Sequence, residues 1–234
     1  MIPGRTFHWF SIDGPLIMKY VRFGDGESFP VGKILCLGRN YPEHIKEMKA
    51  ESSGIPVVFI KPSTAMIGPG EKVVIPPNSG DVHHEVELVV VIGRECRNLA
   101  SADAMEHVAG YAVGLDMTLR DVQADAKKRG LPWSVAKGFD TSAPLSAPVR
   151  RGLVRDPHAL PIELKVNGTV RQSSNTSHMI HRIPEIIAYC STIFTLEPGD
   201  LIFTGTPEGV GRVVPGDSID ASIAGVGSLS VGVT

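Results

Sequence analysis

The chain has 234 residues, 42% of them hydrophobic and 21% charged, with 25 glycines and 18 prolines; this excludes a disordered chain and favours one globular domain rich in short strands and turns. A formal net charge of -2 without any block of lysine or arginine excludes the electrostatic footprint of a nucleic-acid or anionic-membrane binder, so the expected partner is small.

The first residues scatter Arg5, His8 and Asp13 among apolar positions, unlike a signal peptide. Residues 17–23 and 33–37 read as short strands on either side of a G-D-G turn at 24–26. In G-R-N-Y-P-E-H-I-K-E-M, residues 38–48, Pro42 suits the first turn of a short helix, and Ile45 with Met48 gives it one apolar edge. Strands are expected at 57–60, 72–75 and 83–92, and the apolar run at 86–92 is far too short to span a bilayer. A helix from Ser101 and a strand at 111–115 come next. Thr118 should then open a helix, with Asp121 completing a capping box and Gly130 and Pro132 ending it. Asn167-Gly168 has the form of a two-residue hairpin turn, and Pro184 can open a helix running to about residue 194. From Asp200 onward the pattern is short strands and loops. No repeat or linker divides the chain, and the irregular order of elements argues for an α+β fold, mostly β, and against a doubly wound parallel sheet. Cys36, Cys96 and Cys190 lie far apart without C-x-x-C spacing, which points to a reducing compartment, expected to be the cytoplasm, and away from disulfides or a thiolate zinc site.

Successive strand side chains point to opposite faces, so Glu85 and Glu87 share the face continued by Val89 and Val91. Two carboxylates on such a face either share a cation such as Mg²⁺ or Mn²⁺ or mark the wet end of a strand whose dry end carries the valines. His83 and His84 are further possible ligands, although a histidine beside a strand is more often structural and magnesium prefers oxygen. Asp116 ends the run G-Y-A-V-G-L-D, where loops collect functional groups, but alone it reads as a polar turn residue. Arg120 and Gln123, three apart on the following helix, face the same way, as residues on a solvated helix face also do. Lys137, in P-W-S-V-A-K-G-F-D, reads either as a pocket ammonium or, by default, as a surface charge. G-T-P-E-G-V-G, residues 205–211, has the glycine density of an anion-cradling loop but no G-K-S/T, leaving a tight turn or a carboxylate site.

Taken in order, G-R-N-Y-P-E-H-I-K-E-M, D-V-H-H-E-V-E-L, L-D-M-T-L-R-D-V-Q, A-K-G-F-D-T-S-A-P and L-E-P-G-D-L-I-F-T-G-T-P-E-G-V-G resemble the fumarylacetoacetate hydrolase family, most of all its short acylpyruvases, fumarylpyruvate hydrolases and oxaloacetate decarboxylases. The resemblance implies a mixed β roll with peripheral helices, usually a homodimer, with a catalytic domain over 33–234 and residues 1–32 as an N-terminal segment packing on it. It implies that Glu85, Glu87 and Asp116 hold Mg²⁺ or Mn²⁺, and that Lys137 lies by the substrate. Arg120, Gln123 and the loop at Gly205 and Thr206 would hold the substrate carboxylate. His44 and Glu47 match a catalytic His-x-x-Glu pair on a lid spanning residues 38–54.

The implied reaction is metal-dependent hydrolysis of a C–C bond in a small 2,4-dioxo acid, releasing pyruvate through its enolate. Lys137 and the cation would stabilise the developing charge, and Glu47, tuned by His44, would activate water. Decarboxylation of oxaloacetate, or isomerisation or hydration of a 2-oxo acid, are the alternatives on the same site. A non-catalytic, metal-dependent carboxylate-binding module is an alternative of another class.

Overall fold

The computed structural model describes residues 18–49, 51 and 54–234; the expectation of no leader at the N-terminus, and parts of the expected strand at 17–23 and lid at 38–54, lie outside these residues. A six-stranded mixed sheet carries the core, in the order Val149–Arg150, Val108–Leu115, Val86–Ile92, Leu201–Phe203, Lys33–Gly38 and Val57–Pro62. Val86–Ile92 is buried along its whole length, which is why it reads as a continuous apolar run. Val86, Leu88, Val90 and Ile92 join the larger hydrophobic core, while Val89 and Val91 join a smaller one on the other face. Each such side chain stabilises the fold by about 1.5–3 kcal/mol.

A five-stranded sheet, ordered Thr169–Asn175, Pro161–Val166, Ser218–Ile223, Gly227–Val233 and Lys72–Val73, covers the larger core. In Ser218–Ile223 every second side chain is buried, one dry face and one wet. The Asn167-Gly168 turn joins its first two strands as expected, both residues having positive φ (51° and 76°). The helix Ile183–Ile193 carries Pro184 in its first turn and lays Ile183, Ile186, Ile187 and Cys190 into the same core. Helices are few and strands many, so the fold is α+β and mostly β.

A third, three-stranded sheet, Thr118–Leu119, Val82–His84 and Gly211–Val213, sits where the site is built. The strand expected at 83–92 is interrupted at Glu85, where the chain leaves this small sheet and enters the central one. The Asp116 amide donates to the Glu85 carbonyl at 2.9 Å, which fixes the two acidic positions against each other.

Two expected helices differ. Residues Ser101–His107 form a 3₁₀ helix. The helix expected from Thr118 begins at Arg120 and runs to Arg129, because Thr118 is paired with His83 in the small sheet. The capping box does not form: the Asp121 carboxylate accepts from Ser79 Oγ (2.6 Å) and Gly80 N (2.9 Å), while Thr118 Oγ1 donates to the Asp116 carbonyl. Gly130 ends the helix in the left-handed region, at φ 65°.

At the N-terminal side, Tyr20–Arg22 and Ser28–Pro30 pair antiparallel, and Val21, Phe23 and Val31 are buried in the smaller core. Among the described residues no helix is long and apolar enough to cross a membrane.

Gly114 lies directly across the strand pair from Glu87. A Cβ there would stand 2.5 Å from Val89 Cγ2 and 2.6 Å from Phe203 Cε1. Gly114→Ala should therefore lower unfolding free energy by about 1–3 kcal/mol through overpacking. A urea midpoint equal to the parent's would show that these strands separate without cost.

Candidate active site

Glu85, Glu87 and Asp116 are all buried, Glu87 and Asp116 to 1% exposure, so the wet-end reading of the strand fails. One carboxylate oxygen from each lies within 4.8 Å of the others. Burial, and then the charges of Asp116 and Glu85, push the Glu87 carboxyl well above the usual carboxylate range. Among the described residues its close donor is the Gly205 amide, at 2.7 Å from Oε2. Burial also opposes ionisation of Glu85, but the Lys137 and Arg120 charges outweigh it and hold that carboxyl well below the usual range.

The counter-charges come from three separate elements. Lys137, at the end of the short helix Ser134–Lys137, is 3% exposed, which overturns the surface reading. Its ammonium donates to Glu85 Oε2 (2.8 Å) and Asp116 Oδ2 (2.6 Å). Burial pulls the Lys137 pKa down, but those two carboxylates prevail and raise it, so the group is a fixed cation. Arg120, in the first turn of its helix, pairs with Glu85 and donates to Gln123 Oε1 at 2.8 Å. The third cation, Lys61, is fully buried, with Nζ donating to the carbonyls of Met117 (3.1 Å), Lys137 and Ser142 (2.9 Å). It also lies 2.8 Å from Asp116 Oδ1. Its hydrogen bonds being directed at those carbonyls, Asp116 Oδ1 is left buried without any hydrogen bond.

The segment 38–48 covers this cluster. The helix Pro42–Glu47 has Pro42 in its first turn, as expected, and buries His44 and Ile45. His44 Nδ1 lies 3.2 Å from Glu47 Oε2, and both Glu47 oxygens accept from the Gly209 amide, at 3.1 and 3.3 Å. Asn40 secures the start of the segment, donating to the carbonyls of Thr204 (2.7 Å) and His181 (3.1 Å) and accepting from the His181 amide (2.7 Å). A cavity of about 40 Å³ is lined by His44, Glu85, Arg120, Gln123 and Lys137. Larger grooves, such as one of about 390 Å³ edged by residues 18–22 and 145–148, gather no comparable set of buried charges.

The structure thus brings His44, Glu85, Arg120, Gln123 and Lys137 to one cavity, with Glu87, Asp116 and Glu47 bonded around it. Gly205 and Thr206 stand beside the acidic cluster, each with a partner inside the chain. The Gly205 N–H serves Glu87, and its φ of 95° and a Cβ position 2.7 Å from Asn40 leave room for glycine alone. Thr206 Oγ1 accepts from Gln172 Nε2 at 2.8 Å. His83 and His84 stay outside the acidic cluster. His83 bonds Asp81 and Arg120. Burial lowers the His84 pKa to about 4, and its Nδ1 faces Gln172 Oε1 at 3.1 Å.

Lys61 and Gln172 are the residues that sequence reasoning missed. A lysine inside V-V-F-I-K-P was a usable signal. Gln172 has none, since its strand, T-V-R-Q-S-S-N, carries Val170 as its single apolar residue; yet Gln172 is fully buried and joins His84 and Val86 to Thr206 and Pro207.

Residues 33–234 match the C-terminal domain of fumarylacetoacetate hydrolase. The chain belongs to the fumarylacetoacetate hydrolase family, and it is an enzyme of that family. It is 54% identical over 196 residues to the rat protein named oxaloacetate tautomerase FAHD1, mitochondrial, covering 84% of this chain and 89% of that one. The structure of fumarylpyruvate hydrolase from Pseudomonas aeruginosa, in complex with Mn²⁺ and pyruvate, superposes with a TM-score of 0.92 at 38% identity, covering 96% of this chain and 99% of that one. A 5-carboxymethyl-2-hydroxymuconate delta-isomerase from Mycobacterium smegmatis superposes at 0.78 with 39% identity, over 89% and 85% of the two chains.

Proposed function

We propose that this enzyme binds a small 2-oxo acid beside a divalent cation and handles its enolate. The observation that carries the reading is the buried carboxylate trio with Lys137 bonded into it. The residues fit Mg²⁺ or Mn²⁺: three hard oxygen donors converge and, among the described residues, no lysine or arginine is bonded to Glu87, while Asp116 Oδ1 has the Lys61 charge beside it but accepts no hydrogen bond. Glu85, Glu87 and Asp116 would hold the ion, which supplies Lewis-acid polarisation of the 2-oxo group when bound.

The chain's own groups do the rest. Lys137 is a buried, fixed ammonium beside the oxygen on which negative charge develops, an arrangement worth about 3 kcal/mol when preorganised away from water. Arg120 and Gln123, braced against each other, hold the carboxylate next to the oxo group. His44 and Glu47 form the proton-handling pair. In keto–enol interconversion the pair takes one proton from carbon 3 and the 2-oxo oxygen gains one. In hydrolysis of an acylpyruvate, the pair takes the proton of the attacking water. The oxaloacetate tautomerase relatives favour interconversion as the first reading; the fumarylpyruvate hydrolase neighbour and the intact His44–Glu47 pair favour C–C hydrolysis as the second.

The deciding assay follows ultraviolet absorbance of enol-oxaloacetate and a panel of 2,4-dioxo acids, with Mg²⁺ or Mn²⁺. Metal-dependent turnover of either kind is expected, with oxalate, an analogue of the pyruvate enolate, inhibiting competitively. Lys137→Met should weaken oxalate inhibition about tenfold or more. Undiminished inhibition in that variant would remove Lys137 from the site. The chain is also proposed to act as a homodimer, which sedimentation would test. Its three cysteines are buried and free, which supports a reducing compartment; the relatives named as mitochondrial make fractionation of the native protein the test of a cytoplasmic one.

A further inference from the structure

The cavity has a second, outer set of charges that the chemistry above does not use. Arg39 and Lys127 line it together with Met48, Phe59 and Trp133. Among the described residues neither is ion-paired: Arg39 donates to the Glu51 carbonyl at 3.2 Å, and the Lys127 ammonium rests over the Trp133 ring, 5.2 Å from its centroid. A carbonyl and a ring face hold a cation in place without neutralising it. Arg39 sits at φ 62°, an uncommon conformation for a residue with a side chain. The neighbouring Asn40 anchors keep it there. Desolvation first, and then the Arg120, Arg39 and Lys137 charges, push the Lys127 pKa below its ordinary value, so these cations stand close enough to repel one another.

Charge balance gives the direction. Inside, the three carboxylates are matched by Lys61, Lys137 and Arg120. A divalent cation then leaves the inner set positive, and Arg39 and Lys127 add to that charge at the outer end of the same cavity, so an anion with a second carboxylate is favoured over one with a single carboxylate.

We propose that Arg39 and Lys127 form an outer anion subsite that selects 2-oxo acids bearing a second carboxylate at the end remote from the oxo group. This rests on the 2-oxo acid reading above and deepens it: the substrate is a dicarboxylate, and these two residues are its specificity determinants. Near the aqueous rim their contribution is steering and modest affinity, about tenfold in binding.

The test is calorimetry on the Mn²⁺-loaded enzyme with unreactive acids matched in length. 2-Oxoglutarate is set against 2-oxopentanoate and 2-oxoadipate against 2-oxohexanoate, with oxalate as a probe of the inner site alone. The parent should prefer at least one dicarboxylate by about tenfold. In Lys127→Met and Arg39→Met that preference should fall severalfold, and in the double variant to within about twofold, while oxalate and the monocarboxylates keep parent affinity. A parent that binds oxalate but shows no preference, or a double variant that retains one, overturns the subsite and leaves the inner reading standing. Failure of oxalate and all four acids to bind overturns both.

Discussion

Glu87→Gln is expected to lose divalent-ion binding and turnover while unfolding no more easily than the parent. Glu87 is the one member of the trio without a lysine or arginine bonded to it; the Gly205 amide is its partner, and a glutamine oxygen can accept from that amide equally well. Its ionised form is opposed by burial and by Asp116 and Glu85, so replacing it with a neutral isostere removes an electrostatic burden from the fold. An ion, in contrast, loses one of three anionic donors. Disturbing even the partners of a metal ligand costs about ten- to a hundredfold in affinity, so about a hundredfold or more is expected here. Mn²⁺ titration and denaturation in chelator read the two effects separately. Parent-level ion affinity would place the ion elsewhere. Asp116→Ala makes a poorer test, because it removes the carboxylate beside buried Lys61 and leaves Lys137 with Glu85 alone, a loss of about 3–5 kcal/mol in its own right.

Glu47→Gln separates binding from proton transfer. Glu47 contacts His44 and the Gly209 amide, not the acidic trio, so ion affinity and oxalate binding should stay close to parent values. Acylpyruvate hydrolysis and keto–enol interconversion both ask the pair to accept a proton, and both should fall about 10²–10⁴-fold. Decarboxylation of oxaloacetate forms the enolate by losing carbon dioxide and should suffer much less. Equal loss of all three would mean that Glu47 shapes the closed segment and carries no proton. Full retention would reduce the pair to an ordinary helix face.

What the sequence disclosed of the site was whatever repeats with local period. Glu85 and Glu87 stand out because they occupy positions where Val89 and Val91 continue the pattern, and the buried face is where they lie. Asn167-Gly168 and Pro42 were legible because each dictates its own backbone geometry. Thr118 misled for the opposite reason: its local signal was a helix cap, and pairing with His83, far away along the chain, overrode it. Gln172 could not have been found, since its partners at 84, 86 and 206 are assembled only by the meeting of separate sheets. Lys137 was ambiguous because its burial depends on the whole fold, whereas its immediate neighbours are merely small and apolar. The family resemblance resolved such ambiguities because five motifs in order carry tertiary information that no single window contains.

Lys61 has a consequence for how the acidic cluster holds together without an ion. Its ammonium is locked to three backbone carbonyls beside Asp116 and is reached by no solvent. It is a resident counter-ion that cannot diffuse away. Small metal domains whose acidic or thiolate ligands have no such companion come apart when stripped, because the ion is their fold. Here the backbone grip on Lys61 keeps one carboxylate compensated whether or not an ion is bound. If the proposed ion is the cofactor, its loss and return are then expected to switch activity off and on without passing the chain through an unfolded state.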